Sequence, residues 1–240
     1  MPATPKRILK KAYIFFRLIF MRILLRRPKV SAIAANRVSS IVIIRIDRIG
    51  DLVVSLPAMK AFKMIFPRAR LSVMVKRVNS AILKDIPWID EIICYEGLFR
   101  SIGALRRKKF DISIDLIMEY TIKTAIISFF SGSPVSAGFD IDGRGVAFNI
   151  ALAPSSEKKR MHKHLLDLAR MVAKSASYKT DIPDTDPELS VSPENMAFAD
   201  IFLRDRGIGK GALLFGMHPG GYYHSQRWAP ESFAELGRRI

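Results

Sequence analysis

The feature that most restricts the fold is a regular alternation of short apolar runs and longer amphipathic segments between residues 41 and 174. The first run, at 41–46, is rich in β-branched residues without polar alternation, which is typical of a strand buried on both faces of a parallel sheet. The predicted strands are 41–46, 71–75, 91–95, 110–116, 135–139 and 147–152, and the predicted helices are 51–66, 78–84, 98–108, 120–130 and 162–174. This order predicts right-handed βαβ units, and therefore an α/β fold with a Rossmann-like, doubly wound parallel sheet.

The loop after the first predicted strand, residues 45–51, contains the best candidates for chemistry, because ligands bind beyond the carboxyl ends of parallel strands. Gly50 would permit a tight strand-to-helix turn and close approach of a ligand to the backbone. Asp51 stands where the next helix begins, so its carboxylate is either a general base for a substrate hydroxyl or an ordinary helix cap. No G-x-G-x-x-G motif is present, which disfavours a nicotinamide-dependent dehydrogenase.

The composition supports a sizeable core and argues against a metal centre. Hydrophobic residues make up 49% of the 240 residues, so general disorder is not expected. A single cysteine, Cys94, excludes an internal disulfide framework and a cysteine-based metal cluster. His162 and His164 are two residues apart, the wrong spacing to share a helical face, so we expect no metal site.

The net charge of +17 is concentrated in a basic amino-terminal arm: residues 1–40 contribute +10 and contain no acid. Between residues 6 and 27 apolar residues recur at helical spacing, and Arg17 and Arg22 interrupt them. This pattern predicts an amphipathic helix rather than a spanning helix or a signal peptide. We favour contact with a membrane surface; packing on the protein's own core is the alternative. No aromatic-basic module accompanies the charge, so nucleic-acid binding is not expected.

The carboxyl-terminal part indicates a second domain of which only the start is present. Residues 175–192 are rich in Ser, Pro and Asp and predict a linker. The pattern then restarts with a predicted helix at 193–206, a strand at 212–217, a loop at 218–227 and a helix from 229. The predicted organisation is therefore an arm and linker (1–40), a complete domain (41–174), a linker (175–192) and an incomplete domain (193–240).

A series of motifs along residues 41–240 resembles glycosyltransferase family 9, the bacterial lipopolysaccharide heptosyltransferases. The motifs are Arg45-x-Asp47-x-Ile49-Gly50-Asp51, Leu56-Pro57-Ala58, Phe66-Pro67, Phe110-Asp111-x-x-Ile114-Asp115-Leu116, Ala137-Gly138-Phe139, Lys163-His164-Leu165-Leu166-Asp167, His218-Pro219-Gly220-Gly221 and Arg227-Trp228-x-Pro230-Glu231-x-Phe233. Each motif is weak alone, but they occur in the order and spacing of the family.

The resemblance implies a GT-B fold of two Rossmann-like domains and inverting transfer of ADP-activated heptose to the lipopolysaccharide core, without metal or cofactor. Asp51 matches the family's proposed general base. Arg227 matches a basic position near the donor diphosphate, although it could be a solvated loop arginine, and Gly220 and Gly221 would let backbone amides approach the phosphates. The candidate acceptor-binding residues are Arg45, Arg48 and Gly50, and the two arginines could bind the acceptor's phosphates.

Two alternatives stay open at this stage. Arg45 could simply pair with Asp47 instead of binding an acceptor. The chain could be a truncated, catalytically impaired remnant that acts as a membrane-associated binding protein, because most of the family's donor domain lies beyond residue 240. The expected partners are a nucleotide-sugar donor, the lipopolysaccharide core or lipid A acceptor, and the inner-membrane surface through residues 6–27. The expected location is the cytoplasmic face of that membrane.

Overall fold

A computed structural model describes residues 16, 19, 22–119, 121–209, 211–221 and 224–240. The chain divides into two compact units, Met1–Ser190 and Val191–Ile240. Most of the predicted helix at 6–27 lies outside the described residues, so its prediction is tested only at its carboxyl end. Among the described residues, no helix combines the length and the apolar character needed to cross a membrane.

The first unit contains one sheet of six parallel strands. They are β1 (Ser40–Ile44), β2 (Arg70–Val75), β3 (Glu91–Cys94), β4 (Ile112–Asp115), β5 (Val135–Phe139) and β6 (Ile150–Leu152). The strand order is β3-β2-β1-β4-β5-β6, and every pair of neighbours is parallel. This is the doubly wound order, so the predicted Rossmann-like sheet is confirmed.

Five α-helices belong to this unit: α1 (Ile49–Val54), α2 (Leu56–Ile65), α3 (Leu98–Lys108), α4 (Ile122–Phe130) and α5 (Met161–Ser175). The segment Arg77–Leu83, predicted as a short helix, is a 3₁₀ helix. The single helix predicted at 51–66 is wrong, because the structure breaks it at Ser55. Pro57 has no amide hydrogen for the helical bond to residue 53 and its ring would collide with that carbonyl, so the first helix ends before it.

The core forms on both faces of β1, because apolar side chains project from both faces of this strand and both must be buried. Residues 41–44 are at most 1% exposed. One face packs on α2 and α5 through residues that include Phe62 and Leu166, and the other packs below α3 and α4 through residues that include Leu105 and Ile127. A sheet covered by helices on both faces can present a ligand site at its edges only, which directs attention to the carboxyl ends of the strands.

The segment expected to be a linker after the arm lies against the first unit. Leu25 and Ile33 are buried. The amides of Arg27, Val30 and Ile33 donate to the carbonyls of distant residues 146, 149 and 175. These bonds fix the base of the arm on the domain.

The second unit contains α6 (Pro193–Arg204), the 3₁₀ segment His224–Gln226 and α7 (Pro230–Arg239). The strand predicted at 212–217 is wrong: the described residues 211–221 have no regular structure. A strand needs a neighbour for its backbone groups, and the described residues of this unit contain no other strand. None of its described residues is buried.

Candidate functional site

The strand order of the first unit reverses between β1 and β4, which are adjacent in the sheet. At such a point the loops leave the sheet in opposite directions and open a crevice at the carboxyl edge, where ligands of doubly wound proteins bind. The two loops that flank this crevice are residues 45–48, after β1, and residues 116–121, after β4. Of the latter, residue 120 is not described.

The side chain of Arg45 joins the two sides of the crevice, because it bonds both the start of α1 and the loop after β4. Its guanidinium is 2% exposed. Nε and Nη2 donate to the backbone carbonyl of Asp51 at 2.9 and 2.7 Å, and Nη1 donates to the carbonyl of Leu116. Nη1 also lies 3.2 Å from a carboxylate oxygen of Asp47. The sequence left two roles open for Arg45: the structure shows the pairing with Asp47, and the role in acceptor binding stays a prediction.

Asp47 is the titratable group whose environment is most unusual at this edge. Burial raises its pKa to about 6, against the opposing charge of Arg45, while Asp51 and Glu119 raise it further. Its Oδ1 atom is buried without a hydrogen-bond partner among the described residues. The side chain of Asn79, in the 3₁₀ helix after β2, donates to the Asp47 carbonyl at 3.2 Å. The connections after β2 and β4 therefore both contact residues 45–51.

Asp51 lies in the first turn of α1, and Arg48 is the helix cap residue. No side-chain hydrogen bond caps this end, so the alternative of Asp51 as an ordinary N-cap is not what the structure shows. Gly50 lies in the first turn of α1 and does not have a positive φ, so the strand-to-helix turn is made by residues 45–48, before Gly50. A side chain at Gly50 would meet no atom within 4 Å, so the space above the backbone is open. Arg48 is exposed beside it.

A buried ion pair that sequence reasoning did not identify supports the other side of the crevice. Asp115, the last residue of β4, lies 2.6 Å from Nη2 of Arg144, and the two side chains are 0% and 1% exposed. Nη1 of Arg144 donates to the carbonyl of Thr121 at 2.9 Å. The guanidinium also lies 5.5 Å from the ring centre of Phe148. The pair anchors the loop after β4, because Arg144 bonds both the strand end and the loop.

One signal in the sequence could have pointed to this pair. An acidic residue inside a buried strand needs a buried partner, and Asp115 lies within the strand predicted at 110–116. Arg144 stands between two glycines; the first, Gly143, has a φ of +82°, and a side chain at Gly145 would collide with Asp140 at 2.4 Å. Spacing alone does not show which arginine reaches the strand end.

The residues expected to contact the donor phosphates lie in the second unit. The Nε atom of Arg227 donates to the carbonyl of Gly221 at 2.7 Å, so Gly220, Gly221 and Arg227 belong to one loop. The imidazole of His218 lies beside Gly220, 3.2 Å from where a β-carbon would stand. Arg227 is exposed. The structure thus brings these three residues together and places Asp51, Arg45, Arg48 and Gly50 together in the other unit.

The fold and the switch-point edge define a Rossmann-like α/β domain. The sequence profile of glycosyltransferase family 9 (heptosyltransferase) matches residues 98–240, more than half of the chain. The protein therefore belongs to glycosyltransferase family 9. The matched region excludes residues 41–97, so the role of Asp51 is not established by the match. The sequence matches no curated protein.

Solved structures share the fold at low sequence identity. A family 9 glycosyltransferase from Veillonella parvula is 17% identical with a TM-score of 0.71, and the match covers 87% of this chain and 61% of that protein. The E. coli ADP-heptose lipopolysaccharide heptosyltransferase II is 22% identical with a TM-score of 0.66, covering 83% of this chain and 60% of its own. E. coli heptosyltransferase WaaC with ADP is 18% identical with a TM-score of 0.57, and the match covers 82% of this chain and 61% of that protein. This chain spans about three fifths of the length of these proteins.

Proposed function

We propose that this protein transfers heptose, or a related sugar, from an ADP-sugar to the lipopolysaccharide core, with inversion and without a metal ion. Family membership supports a glycosyltransferase, and two solved structures of similar fold are, by name, an ADP-heptose lipopolysaccharide heptosyltransferase and a heptosyltransferase with ADP. The observation that carries the proposal is the placement of Asp51 at the β1/β4 switch point. Its backbone carbonyl is fixed by Arg45, while its side chain is half-exposed.

In the proposed reaction, a carboxylate oxygen of Asp51 takes the proton of the acceptor hydroxyl. The hydroxyl oxygen then forms a bond to the anomeric carbon of the donor sugar, and the bond from that carbon to ADP breaks with its electron pair on the departing phosphate. The products are an inverted glycoside and ADP, with the proton left on Asp51. General base catalysis of this kind contributes roughly 10²–10⁴-fold to a rate. Arg48, exposed beside Asp51, is proposed to bind phosphate groups of the acceptor.

The second unit is proposed to hold the donor diphosphate. Within the described residues, Arg227 makes its hydrogen bond through Nε, which leaves both Nη groups to bind an anion. A guanidinium is well suited to phosphate oxygens, because its parallel N–H groups donate in pairs. Gly220 and Gly221 lack side chains, so a phosphate can approach the backbone closely.

Release of ADP from ADP-heptose by the purified chain, with heptose-free lipopolysaccharide as acceptor, tests the transferase proposal. We expect Asp51→Asn to lower kcat by roughly 10²–10⁴-fold with unchanged ADP-heptose affinity. Asp181→Asn, an exposed carboxylate of the same unit, is the matched control and keeps wild-type turnover. Turnover by Asp51→Asn equal to that of the control would remove Asp51 from the chemistry. No ADP release by the wild-type chain would contradict the activity itself.

Equilibrium binding of ADP tests the donor loop separately. Arg227→Gln should weaken ADP binding by about 10-fold or more, because a hydrogen bond between charged groups contributes about 1.5–3 kcal/mol. Arg204→Gln, exposed in the same unit, should bind ADP like the wild type. Equal affinities of the two variants would assign the phosphates to other residues.

We further propose that the amino-terminal arm holds the protein on the cytoplasmic face of the inner membrane, where the lipid-linked acceptor would be met. The support is the exposure of apolar side chains in the described part of the arm: Phe16 is 69% exposed and Ile23 is 73% exposed. Of the two arrangements considered for the arm, these side chains favour contact with a membrane over packing on the core.

A further inference from the structure

A cavity of about 490 Å³ lies where the base of the arm meets the 3₁₀ segment Arg144–Ala147. Its lining residues are Arg22, Arg26, Arg27, Pro28, Lys29 and Val146. Four of the six are cationic and none is acidic. The volume falls within the range of roughly 300–1,000 Å³ that is usual for small-molecule sites, and the charge defines the expected ligand as an anion.

Two of the four cations are fixed in place by the domain. Arg27 donates to the carbonyls of Phe129 and Ser133 at 2.7 and 2.8 Å. The ammonium of Lys29 donates to the carbonyls of Gly145 and Phe148 at 2.9 and 3.1 Å. One of its three N–H groups is then available to an anion. Charges held in this way need little reorganisation when an anion binds, so they are well suited to a specific site.

Burial lowers the pKa of Lys29 and of Arg27, and Asp140 opposes this effect at Lys29. An anion in the cavity would compensate the loss of water around both groups. Asp140 does not line the cavity, and one of its oxygens accepts from the Gly145 amide at 2.9 Å. It therefore does not occupy the place of a ligand.

Arg22 and Arg26 complete the site from the arm. They are exposed, and no hydrogen bond or ion pair joins either of them to another described residue. Their guanidinium groups can turn toward an anion without breaking an existing contact. A site with two fixed and two movable cations can surround a phosphate group.

Exposed apolar side chains on the arm, which also carries Arg22 and Arg26, indicate the kind of anion. Phe16, Ile19 and Ile23 are helical and are 69%, 41% and 73% exposed, and on a helix residues at this spacing share one face. Leu24, next to Arg22 and Arg26 along the arm, is 54% exposed. A nucleic-acid phosphate would leave this apolar face in water, whereas the acyl chains of a lipid would cover it.

We propose that this cavity binds the phosphate of an anionic phospholipid headgroup, with the acyl chains alongside Phe16, Ile19 and Ile23. The inference rests on the proposed attachment of the arm to a membrane and adds a defined binding site to it. The same 3₁₀ segment that accepts from Lys29 through Gly145 carries Arg144, which bonds Asp115 at the switch-point edge. A headgroup bound at Lys29 would therefore lie one residue along the chain from Arg144, because Lys29 bonds Gly145. Arg144 in turn pairs with Asp115 at the carboxyl end of β4.

Partitioning of the full chain onto vesicles tests the proposal. The vesicles contain phosphatidylcholine alone, or phosphatidylcholine with about one third phosphatidylglycerol. The fraction of protein that co-sediments with them measures binding. We expect the wild type to bind the anionic vesicles, and R22Q/R26Q to partition about 30-fold less, since each cation near such a surface contributes about 1 kcal/mol. R68Q/K84Q removes the same charge from exposed positions elsewhere in the first unit and should lose less than about 3-fold.

The outcomes separate the two proposals. If the wild-type chain does not bind anionic vesicles, the proposed membrane attachment is wrong. If the wild type binds but both double variants lose the same share of that binding, only the proposed cavity site is wrong. Displacement from vesicles by millimolar inorganic phosphate would show a free-phosphate site, and tighter retention of duplex DNA than of vesicles would show a nucleic-acid site; either result contradicts the lipid proposal. Thermal unfolding of both double variants, expected to match the wild type, excludes misfolding as the cause.

Discussion

Two apolar segments, both predicted as strands, have opposite environments in the two units. Residues 41–44 form β1 and are at most 1% exposed. Residues 212–217 include Leu213, Leu214 and Phe215, which are 80%, 55% and 56% exposed and belong to no strand. Both segments are apolar, although only the first is rich in β-branched residues. The difference is that β1 has β2 and β4 on its two sides, while the described part of the second unit has no strand to pair with.

The charged residues show the same contrast. In the first unit, Asp115 and Arg144 are paired at 1% exposure or less. In the second unit, Arg238 and Glu235 are paired 3.3 Å apart on the surface of α7, with side chains 72% and 50% exposed. A pair inside a core is costly to break, because the remaining charge has no water, while a pair on a surface is replaced by solvent. The stability of this chain should therefore depend on the first unit.

The largest effect is expected from Arg144→Met. It leaves the Asp115 carboxylate buried and unpaired, which should reduce the free energy of unfolding by about 3–5 kcal/mol. Urea denaturation followed by circular dichroism measures the change. The control, Arg238→Met, removes a surface pair and should change the value by less than about 1 kcal/mol. Similar losses in the two variants would contradict the contrast between the units.

The next effect concerns packing. Leu166 in α5 is 1% exposed, and Leu166→Ala should cost about 3–4 kcal/mol through lost burial and the cavity left behind. Leu213→Ala, at the exposed segment of the second unit, should change the unfolding free energy by no more than about 0.5 kcal/mol. The same denaturation measurement compares them. A large loss from Leu213→Ala would show that residue 213 is buried in solution.

The pH dependence of the first unit should reveal Asp47. Its folded-state pKa, raised by burial to about 6 from the ordinary 3.8, means that the folded state binds the proton more tightly than the unfolded chain. The associated stability is present below pH 4 and is lost as the pH rises through 6, by about 3 kcal/mol in total. Asp47→Asn lacks this titration, so its stability relative to wild type should rise from pH 4 to pH 7. Parallel pH profiles of the two proteins would show that Asp47 has an ordinary pKa.

The smallest effect is local to the second unit. The Ser192 side chain accepts from the Asn195 amide at 3.2 Å and caps α6. Ser192→Ala should weaken α6 by about 1 kcal/mol, seen as faster amide hydrogen exchange in residues 195–198. Exchange in β1 and β4 should not change. Faster exchange in those strands would mean that the two units unfold together.

Much of the fold follows from the sequence because its cause is local. Six apolar runs separated by amphipathic segments predict the six parallel strands, and the carboxyl edge of the sheet predicts where Asp51 and Arg48 lie. The break at Ser55 was also open to prediction from Pro57. The strand predicted at 212–217 was wrong, because apolar composition specifies that a segment can form a strand but not that a neighbouring strand is present.

The parts of the site that were not predicted depend on long-range contacts. Arg27 and Lys29 were counted only among the charges of the arm, yet they bond carbonyls more than 100 residues away in the sequence. The partner of Asp115 is 29 residues distant. Charge and spacing in a sequence indicate that a group needs a partner, whereas only the packed chain shows which group supplies it.

The way Arg45 contacts Asp51 has a consequence for genetics. Two N–H groups bond the backbone carbonyl of Asp51 and none bonds its carboxylate, so the contact is independent of which amino acid occupies position 51. A substitution there changes the chemical group offered to the crevice and leaves the anchor of the loop intact. Asn, Ser or Ala at position 51 should therefore keep these backbone hydrogen bonds, while removing a negative charge that raises the pKa of Asp47.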